Sequence, residues 1–251
     1  MKQKIFKLSI LLAMGACQTA IAQSGAIAVR LDIGAGLPSG VSTIQNTSNG
    51  NTTIAPLSYG TGFNIALAGN YMFSDHIGAG LDLNYMIGYN TTSTDDGSSG
   101  GSSNTIVYKG TLFAITPNII LSANADKINP YARFGIVIGL PSYSITTTET
   151  GPSFLSGANI DTYSGGLALG WYAGFGIQFP LSDKLKLNVE LFDRDLTYLP
   201  TTYTNTQAFD GASQAPTRTL TTSNSNQNNL TSYQPFGSVG IKVGVQLSLG
   251  K

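Results

Sequence analysis

The sequence is poor in the residues that most often carry chemistry. Among 251 residues it has one cysteine, one histidine and one tryptophan, and only 10% are charged, against about 25% in an average soluble chain. Lys and Arg number 13, as do Asp and Glu, so the formal net charge is zero. That balance leaves no basic footprint for a nucleic-acid partner. With Cys17 alone no disulfide can staple the fold, and an exported chain of this size must then be stabilised in another way. His76 alone cannot assemble a zinc site. Predicted to lie in a tight turn, it also has no neighbouring set for nucleophilic catalysis. No catalytic, cofactor or metal residue is therefore expected, and the chain does not read as an enzyme.

Three other groupings read as ordinary structure. Asp95-Asp96-Gly97 lacks the alternating oxygen ligands of a calcium loop. The stretch GAGLPSG from Gly34 is followed by no helix that could supply amide dipoles to a phosphate. FDRD, Phe192 to Asp195, reads as a salt-bridged rim.

Long apolar runs are missing as well. The N-terminal segment has a basic region (Lys2, Lys4, Lys7), an apolar stretch from Leu8 to about Ala16, and Ala20-Ile21-Ala22 before Gln23, the pattern of an export signal with its peptidase site. That stretch is too short to cross a bilayer as a helix, and nothing after it approaches the 18 or more apolar residues required. The division expected is a signal peptide over 1–22 and one domain over 23–251. Cys17 is either lipidated, with Met14 where a lipoprotein box carries Leu, or removed with the leader, and removal is the reading adopted.

What the chain does have is period-two alternation, the mark of strands with two chemically different faces. Eight such segments follow Gly25. In GAIAVRLDIGAG, Ile27, Val29, Leu31 and Ile33 oppose Ala28, Arg30, Asp32 and Gly34. In GSVGIKVGVQLSLGK, Val239 to Leu249 oppose Lys242, Gly244, Gln246 and Ser248. The seventh, KLKLNVELFDRDLTYL, alternates as far as Leu191 and then slips near Asp193, as at a bulge. Each is long enough to cross a membrane as a tilted strand of about 9–11 residues. Connections after strands two, four and six are tight. Those after one, three, five and seven run to roughly 15–35 residues of Ser, Thr, Asn and Gly, as in an up-and-down antiparallel barrel with its short turns on one side.

A soluble barrel with the apolar face inward would show many charges on its second face. Here that face is mostly Gly, Ala, Asn and Ser. The apolar face is therefore read as facing lipid, and the small residues as filling a narrow lumen. Arg30, Arg133, Lys186 and Lys242 are assigned to that lumen, with Asp32, Asp82 and Glu190 as counter-charges. Tyr59, Tyr85, Tyr89, Tyr108 and Tyr143 toward the long connections, with Tyr71, Phe73 and Phe179 toward the short turns, are read as two interfacial aromatic girdles.

Over essentially its whole mature length the chain resembles the small Gram-negative outer-membrane β-barrel family, of OmpA/OmpX-like and OmpW-like type. The final strand resembles that family's assembly signal at Lys242, Gly244, Leu247 and Leu249, and departs from it in closing on Gly250-Lys251 instead of an aromatic. The resemblance implies an all-β, eight-stranded antiparallel up-and-down transmembrane β-barrel in the outer membrane. It further implies a monomer in contact with outer-membrane lipid and lipopolysaccharide, inserted by the barrel assembly machinery. Its four long extracellular loops are expected to serve structural or surface-interaction roles and to be open to an extracellular ligand. The alternative is a narrow porin-like channel.

Overall fold

The computed structural model describes residues 25–40, 42–48, 51–96, 103–151, 158–209, 213–222 and 231–250. The segment read as a signal peptide, with Cys17, lies outside them, as does Gly97. Among the described residues there are fifteen strands: β1 Ala26–Ser39, β2 Ser42–Ser48, β3 Asn51–Leu57, β4 Gly62–Met72, β5 Ile77–Gly88, β6 Thr91–Asp96, β7 Ser103–Ser122, β8 Asn129–Thr150, β9 Ala158–Ser164, β10 Ala168–Pro180, β11 Leu185–Tyr198, β12 Thr202–Gln207, β13 Arg218–Thr219, β14 Gln234–Pro235 and β15 Gly237–Gly250.

Eight of them close a ring of antiparallel pairs in the order β1, β4, β5, β7, β8, β10, β11, β15 and back to β1. Closure leaves no unpaired edge in the ring. These are the eight segments that alternate in the sequence. Their burial is inverted relative to a water-soluble barrel: Leu31 is 54% exposed while its neighbour Arg30 is 1% exposed. Leu31, Leu67, Leu83 and Ile115 lie in register across four adjacent strands, all on the outside. Charge inside and a continuous apolar band outside is the arrangement that a hydrocarbon surround stabilises.

The short turns are built alike. In Phe73-Ser74-Asp75-His76 the Phe73 amide donates to the Ile77 carbonyl at 2.9 Å, and Ser74 Oγ accepts the His76 and Ile77 amides. In Leu181-Ser182-Asp183-Lys184 the Leu181 amide donates to the Leu185 carbonyl at 2.8 Å, and Ser182 Oγ accepts the Leu185 amide. A serine hydroxyl holding the amide two or three residues on is a local reason for a tight turn.

At the other end the structure differs from the expectation of irregular loops. β7 and β8 run on beyond the ring and pair from Ser103–Thr150 downward. Onto β8 are added β9, β12 and β13, and β6 pairs with β7. The β2–β3 hairpin joins β6 through Thr47 and Asp95. The Thr-rich composition of these connections is what extended backbone favours, so the wall of the barrel continues outward as sheet.

Candidate functional site

The lumen is filled in layers. Arg30 on β1, Asp82 on β5, Arg133 on β8 and Glu190 on β11 occupy every second strand of the ring, with alternating sign. Arg30 meets Asp32 at 2.9 Å, Glu190 at 3.2 Å and Asp82 at 3.9 Å. Arg133 meets Glu190 at 3.4 Å and is paired closely with Asp82. The intervening strands carry small residues, which leaves room for long side chains to reach across: Ala66 and Ala68 on β4, Ala114 on β7, Gly174 and Gly176 on β10, Gly240 and Gly244 on β15. A Cβ at Gly174 would stand 3.0 Å from Glu190 Cδ, and one at Gly176 would run into the Tyr131 ring.

Neutral groups complete this layer. Arg30 donates to the Tyr131 hydroxyl at 3.1 Å, and Asn118 accepts from Arg133 at 3.3 Å while donating to Asp82 at 3.1 Å. Tyr172 donates to Glu190. Lys242, cross-strand from Glu190, donates to Tyr172 Oη at 3.0 Å and lies over the Tyr172 and Phe192 rings at 4.5 and 4.6 Å. Three cations (Arg30, Arg133, Lys242) thus face three carboxylates (Asp32, Asp82, Glu190), the balance that buried ions need.

Lys186 stands apart from this network. It shares the inner face of β11 but sits only half-buried on the wall of a vestibule at the short-turn mouth, a cavity of about 490 Å³. Four side-chain amides chain across this mouth: Asn129 donates to Gln178, and Gln178 and Asn70 both donate to Gln246. Close to the open mouth, water screens Lys186 and no carboxylate is needed to hold it.

Outward of the ion layer, FDRD is not a rim. The register of β11 with β15 and β10 runs through Asp193 without a shift, so the slip seen in the sequence is no bulge. Instead Phe192, Leu196 and Tyr198 keep the inner parity because the outer half of the lumen is apolar. Arg194 points inward and is buried, donating to Asn64, Asn84, Ser238 Oγ and the Gly60 carbonyl. Its flanking carboxylates stay half-buried on the other face, where Ser39 Oγ donates to Asp193. Parity with Glu190, four residues earlier, was the signal that could have found Arg194.

Around and above Arg194 lies an apolar plug of Tyr59, Met86, Leu112, Val137, Tyr143, Phe192, Leu196, Tyr198 and Phe236. Tyr59 and Tyr143 are therefore not girdle residues: their rings are 4.3 Å apart, and Tyr59 stacks on Phe236 at 5.6 Å. Tyr108 packs edge-on against Tyr59. Tyr85 and Tyr89 do face outward, as do Tyr71 and Phe73 at the other end, and Phe179 is half-buried there. The inward positions at the outer end of the lumen took two of the aromatics that the sequence pattern placed in the girdles.

The column continues beyond the plug as Tyr143, Tyr163 and Tyr203, with Arg218 over Tyr203 at 4.4 Å. Burial, joined by the hydrogen bond that its hydroxyl donates to Asp161 at 2.7 Å, pushes Tyr203 up to about 12. Of the assembly-motif residues, Lys242 lies in the lumen, Gly244 packs against Asp32, and Leu247 and Leu249 face outward. His76 is exposed in its turn, with Nδ1 3.0 Å from the Ser122 carbonyl. Among the described residues no three His, Cys, Asp or Glu side chains are grouped to hold a metal.

A search of curated proteins finds no match. Among solved structures, the chain is similar to a major outer membrane protein from Thermus thermophilus, at 14% identity and TM-score 0.51, covering 89% of this chain and 100% of that one. It is also similar to OprG from Pseudomonas aeruginosa, at 11% identity and TM-score 0.48 over 92% and 99% of the two chains. Neisserial surface protein A matches at 13% identity and TM-score 0.44 over 90% and 100%. The Thermus likeness concerns the fold alone. The sequence profile of the outer membrane protein beta-barrel domain matches residues 9–210, most of the chain and seven of the eight ring strands. With that match and a closed ring whose apolar face is outward, the chain belongs to the outer membrane protein β-barrel domain family and resides in the Gram-negative outer membrane.

Proposed function

We propose that this barrel is a closed, non-enzymatic anchor that displays a folded β-sheet platform at the cell surface for contact with its surroundings. The observation that carries the reading is the double seal of the lumen. A balanced ion layer and an aromatic plug lie one above the other, both assembled from the ring's own inward-facing side chains with contributions from the outer connections. An eight-stranded barrel has an interior just wide enough for side chains, and here long ones fill it. The outer connections, by contrast, are organised as strands carrying exposed Thr, Ser and Asn, a surface suited to hydrogen bonding with glycans or lipopolysaccharide sugars. The apolar band is proposed to contact lipid directly, the chain to act as a monomer, and its final strand to be read by the barrel assembly machinery.

The channel reading has one observation in its favour, the vestibule of about 490 Å³ at the short-turn mouth. Planar-bilayer recording on the refolded mature protein separates the two, with heat-modifiable gel migration as the check on folding. The anchor reading expects a folded, electrically silent barrel. Discrete, reproducible conductance steps from the folded species would replace it with the channel.

A further inference from the structure

The vestibule at the short-turn mouth, about 490 Å³, is of the size that holds a small molecule, roughly 300–1,000 Å³. Its two sides differ. Asn129 on β8, Gln178 on β10, Lys186 on β11 and Gln246 on β15 make one side polar. Ala28 on β1, Met72 on β4 and Ile120 on β7 make the facing side apolar, each strand standing opposite one of the polar set in the ring of eight. Asn70 and Ser122 share that facing side and donate to Gln246 and Asn129. The floor is Tyr131, whose hydroxyl accepts from Arg30 of the ion layer.

On the polar side two donors are left over. Gln246 Oε1 accepts from both Asn70 and Gln178, at 3.5 and 3.2 Å, which fixes which end of that amide is oxygen. Its Nε2 points elsewhere and donates to no described residue, although Gln246 is only 8% exposed. Lys186 lies directly cross-strand from it, so the two side chains leave the wall about 4.5–5.5 Å apart. Among the described residues no carboxylate is within ion-pair distance of Lys186. The other charged residues at the cavity, Asp75, Asp183 and Lys184, stand exposed on the turns at its rim, where water and salt screen them.

We propose that Lys186 Nζ and Gln246 Nε2 together bind the carboxylate of a small organic acid, whose apolar body lies against Ala28, Met72 and Ile120. A carboxylate has two oxygens, one for each donor, and its bond to the ammonium is charge-assisted. An apolar body matches the facing wall, the usual division of a small-molecule site into a few placed polar groups and an apolar lining. Inorganic phosphate fits less well, because its further oxygens would face the apolar side without donors. The site is entered from the short-turn mouth and needs no passage through the ion layer, so it stands whether or not the lumen conducts.

The test uses the full mature chain, folded in micelles of an uncharged detergent at neutral pH, with gel migration as the check on folding. The probe is 4-fluorobenzoate, followed by its fluorine NMR signal, and empty micelles are the blank. The site predicts saturable binding with a dissociation constant on the order of 1 mM, ordinary for a ligand of about ten non-hydrogen atoms. Lys186→Gln and Gln246→Leu should each weaken it by roughly tenfold or more, the loss of a hydrogen bond to a charged group, and Lys186→Arg should retain it. Should one of the first two fail to fold, the other gives the reading. No saturable binding by the folded wild type up to about 50 mM would overturn the proposal. So would binding that both variants retain, equal binding of uncharged 4-fluorobenzamide, or displacement by inorganic phosphate at lower concentration than by unlabelled benzoate, since the carboxylate or the apolar side would then not be read.

Discussion

Arg194 and Asn84 stand on β11 and β5, strands diametrically opposed in the ring of eight, and a 2.9 Å hydrogen bond from the guanidinium to the amide oxygen crosses the lumen between them. The same guanidinium reaches Asn64 on β4, Ser238 on β15 and the Gly60 carbonyl. It is a cross-brace whose acceptors are all neutral. Arg194→Ala leaves those acceptors facing one another in a dry interior, and hydrogen bonds to a charged group contribute about 1.5–3 kcal/mol each, so a loss of roughly 3 kcal/mol or more is expected. Arg194→Lys does not rescue it, since an ammonium cannot span four acceptors. The urea midpoint of the refolded barrel, followed by the fluorescence of the single tryptophan, Trp171, reads the difference.

Glu190 and Lys186 make a second comparison on one strand face. Glu190 is held by Arg30, Arg133 and Tyr172. Glu190→Gln leaves the three cations of the ion layer against two carboxylates, and breaking a buried pair costs about 3–5 kcal/mol. Lys186→Gln, at the vestibule wall, stays within about 0.5 kcal/mol of the parent. Equal losses at the two positions in urea unfolding would contradict the layered reading of the lumen.

How much of this was legible in the sequence follows from what period-two alternation can encode. It fixes parity, so the eight strands, the lipid-facing band and the inward positions of Arg30, Asp32, Asp82, Arg133, Glu190 and Lys242 could all be read directly. It says nothing about how wide the interior is at each height. Tyr59 and Tyr143 were therefore misread: large apolar groups look the same to a pattern whether they meet lipid or fill the lumen. Arg194 was hidden for the same reason, because the apolar residues sharing its face made the parity appear to slip. The sheet beyond the membrane was missed because Thr, Ser and Asn serve equally in loops and in strands solvated on both faces, so the partners of β9 and β12 emerge only from pairing.

The lipid face and the outer sheet both expose apolar residues, and a charge tells them apart. Leu67 lies at the middle of the 11-residue β4 with its side chain outward. Leu67→Arg should cost about 2–4 kcal/mol, the penalty for arginine at a barrel's bilayer midplane. Ile54, 69% exposed on β3 beyond the ring, faces water, and Ile54→Arg should be near neutral. Unfolding midpoints measured in lipid vesicles check the pair.

Tyr203 provides a handle on pH. Its phenol is raised from an ordinary 10 to about 12, chiefly by burial. A raised acid resists deprotonation only while folded, so its tie to Asp161 contributes fully below pH 10 and is lost as pH climbs toward 12. Tyrosinate absorbance in Tyr203→Phe should lose one of the late-titrating groups of the parent, and Asp161→Asn should bring that group down.

The two seals of the lumen are independent enough to be opened separately. Removing Asp82 and Arg133 together keeps the charge balanced while vacating half of the ion ring, and a balanced deletion avoids the cost of an orphaned buried charge. The Asp82→Ala, Arg133→Ala double variant should stay silent in planar bilayers, because Tyr59, Tyr143, Tyr198 and Phe236 still close the outer half. Tyr143→Ala with Phe236→Ala should stay silent as well, since Arg30, Glu190 and the rest of the ion ring remain in place. Only the four substitutions combined connect the vestibule to the outside and give discrete conductance. Current from either double variant alone would mean that one layer does all the sealing and that the other serves stability.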